Sequence, residues 1–357
     1  MLLLEESESE ESARHARSLG ALPRLAALPG PCVLERGKAM SMTEYRRGSG
    51  WVKDFGGVIV ATCTPFDDGG ALALDRVPPY VDFLLERGVA ALMVGGTTSE
   101  FIALSLDERS SLIAATVHAV SGRAPVVAHV GDVALGPSIR LARDAVEVGA
   151  SAVAAIVPYF HHYTEQAIVG HLRAVARAVP ELPVFVYNYP AATGNRLTVD
   201  GFALLLEEEN VAGMKLSMAT FEEIEPFLRF LPDICVVSGN DGVWRQFSDK
   251  GGRAVVSGNA AALPELMVAV LDAYLRDDKE VIAPLEPLVG EVIRLTRGGQ
   301  PAVLKALLRS RGMPIGGARV ASVASSELAG ALEPSDALRA AIGWDVSTAT
   351  KVHVPKS

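Results

Sequence analysis

Three cysteines, Cys32, Cys63 and Cys235, are odd in number and far apart in the chain. They match no disulfide framework and no zinc-ligand spacing, and point to a reducing, cytoplasmic compartment. Long apolar runs are missing as well. None approaches the roughly 18 to 20 residues of a membrane span, and the three leucines after Met1 are too few for a signal-peptide core. Clustered positive charge is also missing. Lys and Arg number 33 against 42 Asp and Glu, for a net charge of −9, and the basic residues are scattered among acids, which excludes a polyanionic partner such as nucleic acid. No Gly-x-Gly-x-x-Gly follows the first strand-like run, so the dinucleotide fingerprint of a doubly wound sheet is absent.

What remains is a chain of 357 residues, 49% of them hydrophobic, able to bury one large core. Residues 1–50 differ from the rest. The acidic run Glu5-Glu-Ser-Glu-Ser-Glu-Glu-Ser12 and the aperiodic Arg, Ala, Leu and Pro mixture after it read as a disordered extension, with Met40 or Met42 as alternative starts. From Gly57 onward, strand-like runs alternate with stretches of helical periodicity, the pattern of βα units around a parallel sheet. The strands are expected at Val58–Ala61, Ala90–Val94, Val126–His129, Ala152–Val157, Val184–Tyr187, Ala212–Leu216, Ile234–Ser238 and Ala254–Ser257. Eight units close most naturally into a (β/α)8 TIM barrel. We expect a barrel core over 51–262, then the last barrel helix and a C-terminal helical extension over 263–345, with a tail over 346–357. The helices of that second segment should span Leu263–Leu275, Val281–Leu295, Ala302–Arg311 and Glu327–Ile342. Ser105-Leu-Asp-Glu108 has the form of a capping box, and another helix should open near Thr198.

Lys215 stands in Val211-Ala-Gly-Met-Lys-Leu-Ser217, at the end of the sixth strand. A lysine held in apolar surroundings loses stabilisation of its protonated form and becomes a nucleophile near neutral pH. Taken alone, it could equally pair with a carboxylate. Its company decides otherwise. Val94-Gly-Gly-Thr-Thr-Ser-Glu100 follows the second strand and brings two hydroxyls, and Val184-Phe-Val-Tyr-Asn-Tyr-Pro190 ends the fifth strand in phenols. In a barrel these strand ends converge on one face. The pair His161-His162 has no second ligand cluster beside it and reads as loop. Gly258-Asn259, after strand eight, reads as a turn with an N-cap, or as a phosphate-binding helix start.

Together the motifs Gly96-Thr-Thr-Ser-Glu100, Pro158-Tyr159, Tyr187-Asn-x-Pro190 with Thr193-Gly194, Gly213-x-Lys215, Ser238-Gly-x-Asp241 and Val255-Val-Ser257 resemble the dihydrodipicolinate synthase and N-acetylneuraminate lyase superfamily of class I, Schiff-base pyruvate aldolases. The resemblance runs from about Gly56 to Arg311. It implies that Lys215 condenses with the keto carbon of pyruvate or another 2-keto acid, that Tyr187 shuttles protons with help from the Thr98 hydroxyl, and that Thr97 and Thr98 hold the carboxylate. Gly96, Gly239 and Val256 would complete the substrate site, Val256 through its backbone. It further implies a homotetramer and a reaction with no metal, flavin or nicotinamide cofactor.

Three positions depart from that pattern. Ala192 replaces an arginine that grips the second substrate's carboxylate in the lysine-biosynthesis enzymes, Phe160 replaces a tyrosine, and Ser99 replaces a glycine. Tyr187-Asn-Tyr-Pro-Ala-Ala-Thr-Gly194 is similar instead to 2-keto-3-deoxygluconate aldolases. The expected activity is therefore reversible cleavage of a 2-keto-3-deoxy sugar acid or a 4-hydroxy-2-oxo acid to pyruvate and an aldehyde. The alternatives are 4-hydroxy-tetrahydrodipicolinate synthase, a 2-keto-3-deoxy acid dehydratase, and a non-catalytic barrel that binds keto acids.

Overall fold

The computed structural model describes residues 52, 54–231, 233–320 and 333–344; the expected N-terminal extension and C-terminal tail lie outside them. Eight parallel strands close on themselves in sequence order: β1 (Gly57–Ala61), β2 (Ala91–Val94), β3 (Val126–His129), β4 (Ala152–Ile156), β5 (Val184–Asn188), β6 (Val211–Leu216), β7 (Cys235–Ser238) and β8 (Ala254–Ser257). β8 returns to β1 with Val58 opposite Val255. The expected strands stand within a residue or so of these bounds. Strands buried on both faces need apolar side chains throughout, so their runs are legible even without alternation.

Each strand is followed by its helix: α1 (Val77–Leu85), α2 (Leu106–Val120), α3 (Leu135–Val148), α4 (Glu165–Ala178), α5 (Val199–Leu205), the short α6 (Phe221–Ile224), α7 (Trp244–Asp249) and α8 (Pro264–Arg276). The capping box at α2 is formed: Glu108 N donates to Ser105 Oγ at 3.2 Å, and Ser105 N donates to Glu108 Oε2 at 2.8 Å. Thr198 caps α5 through Gly201 N at 3.0 Å. Three more helices follow, α9 (Lys279–Leu295), α10 (Pro301–Ser310) and α11 (Asp336–Ile342). The last is shorter than expected from Glu327. Ser335 accepts from Leu338 N at 3.1 Å and caps it, and Pro334 just before the cap disfavours a helix through that point. Residues 321–332 lie outside the described residues.

Strand alternation divides the core in two. Leu92, Val94, Val153, Val186, Met214 and Leu216 face the helices, while Ile59, Met93, Val127, Ala154, Phe185, Val237 and Val256 fill the barrel. The bulk of Phe185 is accommodated by Gly213, its register partner on β6, because a Cβ there would collide with the ring. Since Met214 and Leu216 point outward, Lys215 must point inward. Among the described residues, no helix is long and apolar enough to cross a membrane.

Candidate active site

Lys215 enters the barrel from β6 and is 5% exposed. Its Nζ lies 4.0 Å above the centre of the Tyr187 ring and 3.9 Å from Met93 Sδ. Tyr187 is its register partner on β5, so the strand pairing itself sets amine beside phenol. The ring is 2% exposed and held from two sides. Tyr189 stacks on it with centroids 6.0 Å apart and 21° between planes, and His129 meets it edge-on at 6.1 Å. Burial and the Arg109 charge push the His129 pKa well below its ordinary value, while the bond of its Nδ1 to the Gly95 carbonyl, at 2.9 Å, acts the other way. His129 is thus a neutral wall, not a second cation.

The turn after β2 supplies the hydroxyls. Thr97 Oγ1 is 3.4 Å from the Tyr187 hydroxyl, whereas Thr98 Oγ1 faces the backbone after β8, 3.2 Å from where a Cβ on Gly258 would stand. This corrects the expected pairing of Thr98 with Tyr187: the two side chains leave the turn in different directions, and it is Thr97 that reaches the phenol. Ser99, at the position where glycine was expected, locks the turn. It donates to Thr62 O at 2.6 Å, accepts from Gly95 N at 3.0 Å, and its own carbonyl takes the Thr64 hydroxyl at 2.6 Å. The left-handed backbone falls one residue later, at Glu100 (φ 60°).

The cavity above Lys215 encloses about 780 Å³, within the range of small-molecule sites. Thr97, Thr98, Tyr187, Gly239 and Val256 all line it. Gly96 does not; its carbonyl accepts from Phe101 N at 3.3 Å, behind the turn. Gly239 keeps the lysine arm free, because a Cβ there would collide with Ser217 Oγ and lie 3.1 Å from Lys215 Cε. Among the described lining residues, Lys215 is the one cation.

Asp241, read from the sequence only as part of a motif, is one of two acids, with Glu100, among the described residues that line the cavity. Its Oδ2 accepts from Ser257 Oγ at 2.8 Å and from Asn259 Nδ2 at 2.6 Å. Burial raises its pKa to about 6, against the opposing effects of those two hydrogen bonds and the nearby Lys215 charge. Its place directly after β7 was the available signal, since catalytic-face residues follow strand ends. Gly258 is the N-cap of a single 3-10 turn, Asn259–Ala261, without a side-chain cap bond, and the other side-chain atom of Asn259, Oδ1, accepts from Thr296 Oγ1 at 2.6 Å. α8 begins only after Leu263. His161 and His162 are exposed, and no group of three His, Cys, Asp or Glu among the described residues is arranged to hold a metal.

A closed barrel with one inward amine over a phenol at its carboxyl-end mouth is the arrangement of a class I carbon–carbon lyase, a class in which a lysine Schiff base is typical. The Dihydrodipicolinate synthetase family model matches residues 54–329, and the chain belongs to that family. It is 32% identical over 267 residues to the 4-hydroxy-tetrahydrodipicolinate synthase of Parasynechococcus marenigrum (strain WH8102), covering 74% of this chain and 88% of that one. With the enzyme of the same name from Bacillus subtilis (strain 168) it shares 31% over 277 residues, 77% of this chain and 95% of the other. Among solved structures, the dihydrodipicolinate synthase from Aquifex aeolicus superposes with a TM-score of 0.72 at 27% identity, covering 77% of this chain and 94% of that one. The Ruminococcus gnavus sialic acid aldolase has a TM-score of 0.74 at 24% identity, with 81% and 97% covered, a likeness of fold.

Proposed function

We propose that the protein cleaves a 2-keto-3-deoxy sugar acid, or a related 4-hydroxy-2-oxo acid, reversibly to pyruvate and an aldehyde. The observation that carries this reading is that the cavity beyond Lys215 sets several hydrogen-bonding side chains in a largely apolar lining and holds no second cation among its described lining residues. Asn240, Asp241, Asn259, Ser217 and Gln300 line it, and Ala192 stands where a carboxylate-gripping cation would be needed. Such a wall offers hydrogen bonds to hydroxyls and, through Asp241, repels an anionic aldehyde.

In the proposed sequence, the neutral Lys215 amine adds to the keto carbon and water leaves, giving an iminium. The C4 hydroxyl loses its proton toward Tyr187, the C3–C4 bond breaks, and its electron pair flows into the iminium to form an enamine while the aldehyde departs. Protonation at C3 and hydrolysis release pyruvate and restore the amine. Tyr187 carries the proton, with Thr97 as its hydroxyl neighbour. The amides and hydroxyls of the Thr97–Thr98 turn receive the keto acid's carboxylate.

The second reading is 4-hydroxy-tetrahydrodipicolinate synthase activity, favoured by the names of the relatives at 31–32% identity. A panel of aldehydes offered with pyruvate, including glyceraldehyde and aspartate semialdehyde, separates the two. The sugar-acid reading predicts condensation with the hydroxylated aldehydes, and turnover restricted to aspartate semialdehyde would defeat it. We also propose a homotetramer, for which Phe160 (86% exposed, φ 75°) and Ile102 (66% exposed) are candidate contact residues; sedimentation at equilibrium tests it. The buried free thiols of Cys63 and Cys235 are in keeping with the cytoplasmic setting proposed.

A further inference from the structure

Outside the reacting atoms, one pair of buried charges remains unexplained. Lys305 of α10 and Glu100 of the β2–α2 loop are both 0% exposed at their side chains, with Nζ 2.7 Å from Oε1. Burying two charges is a poor way to gain stability, since their desolvation offsets their attraction; a better attested use of such a pair is to fix a register between elements. The surroundings identify the elements. The other oxygen of Glu100, Oε2, accepts from two consecutive amides, Arg319 N and Val320 N, each at 2.7 Å. Lys305 Nζ also donates to Gly317 O at 2.8 Å and sits 3.9 Å from the centre of the Phe66 ring.

Both partners therefore grip the irregular segment 313–320, which passes the barrel mouth and brings Val320 to the cavity wall. Other contacts hold the same segment in place. Phe66 N donates to Ile315 O at 3.0 Å, and Arg319 makes a two-pronged contact with Glu108, at 2.7 and 2.9 Å. Glu100 itself adopts a left-handed backbone, unusual for a residue with a side chain, and such a conformation persists only where its surroundings enforce it. Its amide donates to Thr97 O at 3.0 Å. The carboxylate of Glu100 is thus fixed to the 313–320 segment, and its backbone closes the turn that presents Thr97 and Thr98.

We propose that Glu100 and Lys305 are a positioning pair that sets the Thr97–Thr98 turn at the distance a keto-acid carboxylate requires. This rests on the reading of that turn as the carboxylate site. Glu100 borders the cavity, but both side chains are fully buried and engaged with each other, so their effect passes through the turn and is confined to ligands that carry the carboxylate.

The test uses reductive trapping by cyanoborohydride, followed by intact mass, with two ketones: pyruvate and its uncharged amide, pyruvamide. In Lys305→Met, the concentration giving half-maximal trapping rises about tenfold or more for pyruvate, the effect of losing one charge-assisted contact. For pyruvamide it stays within about twofold of wild type. If the single variant does not fold, Glu100→Gln/Lys305→Met removes both charges while leaving an amide oxygen to accept from Arg319 and Val320, and the same split is expected. Equal change for both ketones, or no change for pyruvate, overturns the proposal while the reading of the site stands. Failure of the wild-type protein to trap pyruvate at all overturns that reading, and this proposal with it.

Discussion

Exchange of Gly239 for alanine places one methyl group where it bears directly on the lysine arm. Its Cβ would collide with Ser217 Oγ and lie 3.1 Å from Lys215 Cε and 3.3 Å from Leu216 O. Comfortable carbon–carbon contact is about 3.5 to 4.0 Å, so Cε must retreat by roughly half an ångström, and the amine at the end of the arm by as much or more. It has little room to do so, with the Tyr187 ring 4.0 Å away on one side and Met93 Sδ 3.9 Å away on another. Overpacking of this kind costs about 1 to 3 kcal/mol of stability. A misplacement near 1 Å costs about a hundredfold in rate, so trapping of pyruvate should slow by about ten- to a hundredfold. The assay is the rate of adduct formation under cyanoborohydride, followed by intact mass, alongside a thermal melt. Gly239→Ala/Ser217→Gly relieves the first collision and should recover stability, but the contact with Lys215 Cε persists and trapping should stay slow. Wild-type trapping in the single variant would refute the reasoning, because the arm would then not depend on the space that Gly239 leaves.

Tyr187→Phe removes the proton carrier but keeps the ring under Lys215. Adduct formation should survive at a reduced rate while turnover falls by about 10² to 10⁴, and steady-state assays beside trapping would show the split. Asp241→Asn should change the pH dependence of stability. The folded carboxyl, raised to about 6 from its ordinary 3.8, contributes stability that is fully present below about pH 3.8 and lost as the pH rises through about 6. The asparagine variant should therefore gain on wild type in melts at pH 7 to 8 relative to melts near pH 4, and an identical pH profile in both proteins would count against the assignment. Ala192→Arg restores a cation at the cavity wall, and should improve the apparent affinity for aspartate semialdehyde by about ten- to a hundredfold in a coupled assay.

The barrel was legible because eight strands buried on both faces read as short apolar runs, and Lys215 was legible because strand alternation leaves a charge little choice of direction once its neighbours face the helices. Tyr187 follows from the same logic one strand away. Thr97 and Thr98 could be found as a pair but not told apart, since the direction in which each hydroxyl leaves a turn depends on tertiary neighbours such as Gly258. Asp241 was visible in its motif, but its role was not, because the burial that raises its pKa and the two donors on its carboxylate come from the walls around it and from the loop after β8. Glu100 and Lys305 were beyond reach of pattern: nothing local marks two opposite charges on distant elements as partners. The start of α11 was misjudged for a local reason, apolar periodicity having been continued across Pro334 and its Ser335 cap.

Everything in the proposed chemistry depends on the Lys215 amine adding to a ketone. The most direct test incubates the protein with pyruvate and borohydride, measures intact mass, and maps the modified peptide. A single reduced pyruvate adduct on Lys215, absent from Lys215→Ala, is the predicted result. An adduct that persists in Lys215→Ala, or none in the wild-type protein, would contradict it.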